Sequence, residues 1–173
     1  MVSFSVWANE GTSRTISVNS AMNDLMADFI HEATRYAQTS SQERELMQRL
    51  SIRTHKKREV LDITEKAQKA LPVETGICHL FVLHTTAALT TADLDPGTDL
   101  DMLDAFEAMM PRLRYRHPHD PEHVPDHILS SMIGTSISIP FEHRRFVLGT
   151  WQRVILVELD GPRDRELVLS IAN

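Results

Sequence analysis

The fold class predicted here is α+β: a curled antiparallel or mixed sheet, barrel-like, with a few packed helices. Three observations lead to it. From about residue 48 onward, short extended runs are separated by helical segments that carry their own start and stop residues. The last third alternates apolar and polar residues with very short connections, which pairs neighbouring strands antiparallel. No period of roughly 20 to 50 residues repeats, so solenoids and propellers drop out.

The elements follow in order. Residues 1–47 form an N-terminal extension with one amphipathic helix. Met22, Leu25, Met26, Phe29, Ile30 and Ala33 recur at helical spacing behind a start signal at Ser20 or Asn23, and Thr39-Ser40-Ser41-Gln42 breaks the pattern. Residues 48–173 form the main domain. Ser51 to Thr54 and Glu59 to Asp62 are extended, and Asp62-Ile63-Thr64-Glu65 matches a capping box that opens a helix ending near Leu71-Pro72. Ile77 to His84 is a nearly continuous apolar strand, which predicts burial on both faces. Asp95-Pro96 starts a helix carrying Leu100, Leu103, Phe106 and Met110 on one face until Pro111 stops it. A further helix runs from Pro125 to Ile133 and ends at Gly134. Strands at 136–139, 151–158 and 166–171 complete the domain, with a turn at Asp160-Gly161-Pro162.

Composition narrows the function classes. The chain has 173 residues, a formal charge of -6, and 42% hydrophobic against 24% charged residues. That is ordinary globular usage, with length for one core-forming domain. The longest apolar runs fall far short of the ~20 residues of a membrane span. An acidic chain without a Lys/Arg stripe and interleaved aromatics argues against a nucleic-acid partner. The first residues lack a basic segment followed by an apolar stretch, and the single cysteine, Cys78, has no internal partner, so a cytoplasmic location is expected.

Charge is segregated. Between Leu71 and Pro111 there is no Lys or Arg, while Glu74, Asp93, Asp95, Asp99, Asp101, Asp104 and Glu107 are present. Acids early in a helix favour its positive end, so most of these are a solvated face. Asp93 and Asp95 stand apart, because they follow an apolar strand. Arg112, Arg114, Arg116 and His117 then reverse the sign.

Histidine clusters too: His117, His119, His123 and His127 fall within one short stretch. Pro121 and Pro125 interrupt any helix that would align them, leaving a loop metal site or solvated rings as the two readings. His84 ends an apolar strand ahead of Thr85-Thr86, a rim position suited either to function or to a hydrogen-bonded structural ring. Cys78 reads as a small buried hydrophobe. Ser130 and Ser131, near a helix start, either receive phosphate or cap and pack. Alternation from Trp151 puts Gln152 and Glu158 at the ends of an apolar face. A buried Glu158 needs a cation such as Arg163 or Arg165, serving as a structural pair or a phosphate site.

His84-Thr85-Thr86-Ala87-Ala88-Leu89-Thr90, the acidic stretch to Asp104, Tyr115-Arg116-His117, Pro125-Asp126-His127, Gly134-Thr135-Ser136 and Leu148-Gly149-Thr150-Trp151-Gln152 together resemble the YjbQ-type family. Its members are called secondary thiamine-phosphate synthases. The resemblance runs through residues 48–173. It implies a homotrimer with sites near subunit contacts, and a divalent metal, zinc or magnesium, held by His84, His117 and His127. It also implies a transferase joining hydroxymethylpyrimidine diphosphate to thiazole phosphate, with thiamine monophosphate and diphosphate as products. On this reading Ser130 and Arg163 contact phosphate, and His84 with Asp93 or Glu158 serves the chemistry. The chain departs from the family pattern at Ala92-Asp93, Glu122-His123 and Asp126, which bears on the metal shell. Two other expectations suit the same residues: a metal-dependent hydrolase of a phosphorylated metabolite, and a non-enzymatic trimer that binds a metal or metabolite.

Overall fold

The structure is a computed structural model that describes residues 3–7, 13–17, 24–35, 47–117 and 120–172. The chain divides into two compact units, Met1–Glu43 and Arg44–Asn173. In the first, strands β1 (Ser3–Trp7) and β2 (Ser13–Ser17) pair antiparallel, and helix α1 spans residues 24–35 with Leu25, Met26, Phe29 and Ile30 exposed. The hairpin is an addition to the single helix expected there. Its signal is the alternation Ser3-Phe4-Ser5-Val6-Trp7, whose period of two suits a strand. The expected helix start at Ser20 or Asn23 and the break at Thr39 to Gln42 lie outside the described residues, as does His119.

The second unit has the α+β architecture expected, with a curled antiparallel sheet system. Its strands are β3 (Met47–Arg53), β4 (Glu59–Asp62), β5 (Thr75–Val82), β6 (Ala87–Ala92), β7 (Ser136–Glu142), β8 (Arg145–Phe146), β9 (Arg153–Glu158) and β10 (Asp164–Ala172). They form one sheet in the order β3-β10-β5-β7-β8 and another in the order β4-β9-β6. Every ladder among the described residues is antiparallel. The helices are α2 (Thr64–Lys69), α3 (Thr98–Met109) and α4 (Val124–Ile133), with a 3-10 turn at Pro121–His123 ahead of α4.

Two apolar layers hold these elements together. The inner faces of both sheets meet in a core containing Ile52, Leu80, Val82, Leu89, Leu156, Leu167 and Leu169, closed at one side by Ala67 of α2. The other face of the three-stranded sheet, with Ala88, Ile155, Val157 and Leu159, is covered by Leu129 of α4 and by Leu103 and Phe106 of α3. The strand buried on both faces is therefore β9, between β4 and β6. The expectation that 77–84 would be doubly buried is corrected: Cys78, Leu80 and Val82 face the core, but Ile77 and Phe81 are exposed. An apolar run here records an uncovered outer face.

Helix boundaries differ from the sequence reading by small amounts with clear causes. α3 starts at Thr98, because Gly97 at φ 97° takes the left-handed position before it and the Asp95 carbonyl accepts the Thr98 N–H. At α2, Asp62 Oδ1 accepts from Thr64 N at 2.8 Å, while Ile63 occupies the cap position without a side-chain bond. Residues 151 and 152 belong to the turn before β9, with Trp151 exposed.

Candidate functional site

Three connections meet at one end of the sheets. The β5–β6 link (Leu83 to Thr86) is tied to the β9–β10 turn, since Leu159 N donates to Thr86 O at 3.1 Å and Leu83 N to Glu166 O at 2.9 Å. The start of α4 lies over both, and the space between is an open cleft of about 650 Å³ lined by His84, Thr86, His123, His127, Arg163 and Arg165, among others.

The floor of the cleft is a buried ion pair. Glu158 is wholly buried and Arg165 is 2% exposed. Arg165 Nε donates to Glu158 Oε2 at 2.6 Å, and its Nη2 donates to Glu158 Oε1 and, at 3.0 Å, to Thr86 Oγ1. The expected demand of Glu158 for a cation is thus met by Arg165. Alternation explains it: Arg165 heads the inward row Leu167, Leu169, Ile171 of β10. Glu158 is correspondingly removed from the set of substrate-orienting residues, because both its oxygens are engaged by that guanidinium and none of its surface is open. Arg165 itself was underrated by sequence reasoning. Its Nη1 has no acceptor among the described residues, yet it is not sealed from solvent, so a nearly buried cation presents N–H groups to the cleft.

Arg163 stands at the rim. Its Nε donates to Asp160 O and its Nη2 to Asp160 Oδ2, both at 2.6 Å, which orients the exposed guanidinium beside the cleft. His123 bridges two acids, with Nε2 2.9 Å from Asp120 Oδ2 and Nδ1 3.6 Å from Asp160 Oδ2. Asp126 does not enter the cleft chemistry, because its buried carboxylate accepts from Arg58 Nη2 at 2.6 Å.

The histidines are arranged by the backbone. Glu166 N donates to His84 Nε2 at 2.9 Å. Desolvation, reinforced by Arg165, holds the His84 pKa below its ordinary value, so the ring is neutral near pH 7 and carries its proton on Nδ1. His127 Nδ1 lies 3.1 Å from Thr85 O, a carbonyl that can only accept, so His127 Nδ1 carries a proton, and the neutral form of the ring has its lone pair on Nε2. His117 stacks on His127 with centroids 5.9 Å apart and planes at 17°, and its Nδ1 accepts from Asp120 N at 3.3 Å.

This arrangement does not fit the three-histidine metal centre. A ligating imidazole needs a free lone pair on the nitrogen facing the ion and a proton on the other nitrogen. His84 and His117 each have a lone pair occupied by a backbone N–H, which places their protons on the remaining nitrogen. Only His127, with Nδ1–H donated to a carbonyl, has the form of a metal ligand. Among the described residues no three His, Cys, Asp or Glu side chains form a metal-holding group.

Two other expected site residues lie elsewhere. Ser130, expected as a phosphate contact, is buried, and its hydroxyl donates to Ala87 O at 2.7 Å, fastening α4 to β6. Asp93 is exposed and accepts from Asp95 N at 3.1 Å. It follows the far end of β6, whose near end pairs Ala87 with Glu158, so at strand rise it stands about 20 Å along the sheet from the cleft. Within the chain it cannot act with His84. Cys78 is buried, which pushes its thiol pKa up to about 12 and leaves it chemically quiet. No described helix is long and apolar enough to cross a membrane.

Comparison with known proteins agrees with this fold. Residues 48–173 match the family described as UPF0047 protein YjbQ-like. YugU of Bacillus subtilis is 35% identical over 131 residues, covering 73% of this chain and 98% of that protein. YjbQ of Salmonella typhimurium is 40% identical over 108 residues, covering 59% and 78%. A solved YjbQ/UPF0047 structure from Clostridium acetobutylicum superposes with TM-score 0.65 at 32% identity, covering 72% of this chain and 99% of the other. A conserved hypothetical protein from Thermus thermophilus gives 0.67 at 35%, with the same coverage. With its sequence match over residues 48–173 and its fold in agreement, this chain belongs to the YjbQ/UPF0047 family.

Proposed function

We propose that the cleft receives a phosphorylated metabolite, and that the chain is a transferase of the thiamine-phosphate synthase type, joining hydroxymethylpyrimidine diphosphate to thiazole phosphate. The observation that carries this reading is Arg165: a guanidinium 2% exposed, neutralised by Glu158, that lines the cleft. A departing diphosphate gains negative charge, and fixed N–H donors in a partly dry site stabilise that charge without having to reorganise. Arg163, held by Asp160, supplies a second cation at the rim. The His84 Nδ1–H supplies a neutral donor.

The reading includes a homotrimer. Ile77 and Phe81 on the outer face of the five-stranded sheet are apolar and exposed, as a subunit contact requires. A second reading, hydrolysis of a phosphorylated metabolite, is favoured by one feature: the His127 Nε2 lone pair is placed to accept a proton from water. The two are separated by incubating wild type and His127→Ala with both substrates, in protein stripped of metal and then supplied with zinc or magnesium. Thiamine monophosphate detected by mass spectrometry supports the transferase. Free hydroxymethylpyrimidine with phosphate or diphosphate and no joined product supports the hydrolase. Tight binding without turnover removes both and leaves a metabolite-binding protein.

A further inference from the structure

We infer that the histidine cleft is an oxyanion site built from two imidazoles of the same tautomer presented in opposite senses, His84 as donor and His127 as acceptor, and that it is not a three-histidine metal centre. The ligand class rests on the reading above, that the bound molecule is phosphorylated. The assignment of the two rings stands independently of it.

Each ring is fixed by a backbone group that cannot change role. The amide of Glu166 can only donate, so His84 Nε2 must accept and the proton resides on Nδ1. That Nδ1 has no acceptor among the described residues and is not sealed from solvent, and His84 lines the cleft. The carbonyl of Thr85 can only accept, so His127 also protonates Nδ1, and its unprotonated Nε2 is the nitrogen left to the cleft. Both backbone groups belong to sheet-bound segments: Glu166 lies within β10, and Thr85 lies in the link held by the Leu83 and Leu159 amides. Reversing either tautomer would bring two donors or two acceptors face to face at about 3 Å, with loss of a hydrogen bond and repulsion in its place.

The consequence is a directional pocket. His84 Nδ1–H and the Arg165 guanidinium lining the cleft are both donors, and so suit phosphoryl oxygens. His127 Nε2 accepts, and so suits an O–H or N–H of the same ligand. Among His84, His117 and His127, zinc or magnesium finds one usable imidazole lone pair, where a structural or catalytic zinc site takes three or more protein ligands. A phosphate monoester or diphosphate with a neighbouring hydroxyl or amine meets His84, Arg165 and His127 each with a matching partner.

Long-range proton–nitrogen NMR of the full chain labelled with [15N]histidine tests this at pH 8. The expected spectrum shows the proton of the neutral ring on Nδ1 in both His84 and His127. Equimolar zinc is expected to move the nitrogen resonances of His127 while those of His84 stay in place, and inorganic diphosphate is expected to shift the His84 Nδ1 resonance. A proton on Nε2 of His84 overturns the inference, as does zinc moving His84, His117 and His127 together. Diphosphate leaving the His84 resonance unchanged overturns the oxyanion assignment. Failure of the transferase reading gives a different result: the tautomers are as stated and no thiamine monophosphate forms.

Discussion

His84 shows how one hydrogen bond decides the chemistry of a side chain. Its pKa is held below its ordinary value, by desolvation first and by Arg165 second. Folding therefore favours the neutral ring, and the unfolded chain binds the proton more readily. Stability from this group is fully present above the unfolded value and is lost as pH falls through the folded one. Protonating Nε2 would also set it against the Glu166 N–H. Denaturant midpoints measured from pH 8 down to 5 are expected to fall more steeply in wild type than in His84→Asn, with the difference opening below about pH 6.5. Parallel curves would remove the proposed link between tautomer and fold. At this scale the sequence was informative about identity and weak about role. His84 was legible as a rim residue, His127 as one of a loop cluster and Arg163 as a possible phosphate contact, and all three line the cleft. The surroundings of Ser130 and Asp93 were not legible, because hydroxyl burial and distance along a strand depend on packing that no local pattern encodes.

At the level of elements, the β9–β10 connection is held by charge. Glu158 ends β9, Arg165 opens the inward row of β10, and Thr86 joins the pair to the β5–β6 link. Removing one member of a buried pair leaves an uncompensated charge, typically worth about 3 to 5 kcal/mol. Glu158→Ala is expected to lower unfolding free energy by about that amount in urea titration. A loss below about 1 kcal/mol would mean that the pair is solvated and does not form the floor of the cleft. The strands themselves were largely readable, since alternation and turn residues are local. The doubly buried strand was assigned wrongly, to 77–84 instead of β9, because periodicity records apolar content and not which face another layer covers. Outward Ile77 and Phe81 looked like core for that reason.

For the whole molecule, the uncovered face of the five-stranded sheet is the feature that one chain leaves unexplained. Ile77 and Phe81 project from it, with Met47 exposed on its edge strand. If copies associate through this face as a trimer, sedimentation equilibrium should return three times the chain mass of 19.7 kDa. Phe81→Glu should return the single-chain mass with the denaturation cooperativity intact. A wild-type monomer would remove subunit contacts from the account and leave the cleft to act within one chain. Assembly is invisible to strand and helix patterns, because an apolar outer residue and an apolar core residue read alike.

In the proposed reaction the cleft holds hydroxymethylpyrimidine diphosphate through Arg163, Arg165 and the two fixed imidazoles, and diphosphate leaves as the pyrimidine is joined to thiazole phosphate. Initial rates of thiamine monophosphate formation, followed by mass spectrometry in wild type, Arg163→Ala and Arg144→Ala, test it most directly. Arg144 is the control, an arginine paired with Glu74 in the β7–β8 turn and outside the cleft. A charged hydrogen bond is worth about 1.5 to 3 kcal/mol, so Arg163→Ala should slow the reaction roughly ten- to a hundredfold while Arg144→Ala matches wild type. Absence of product from folded wild type, or equal loss in both variants, would contradict the claim.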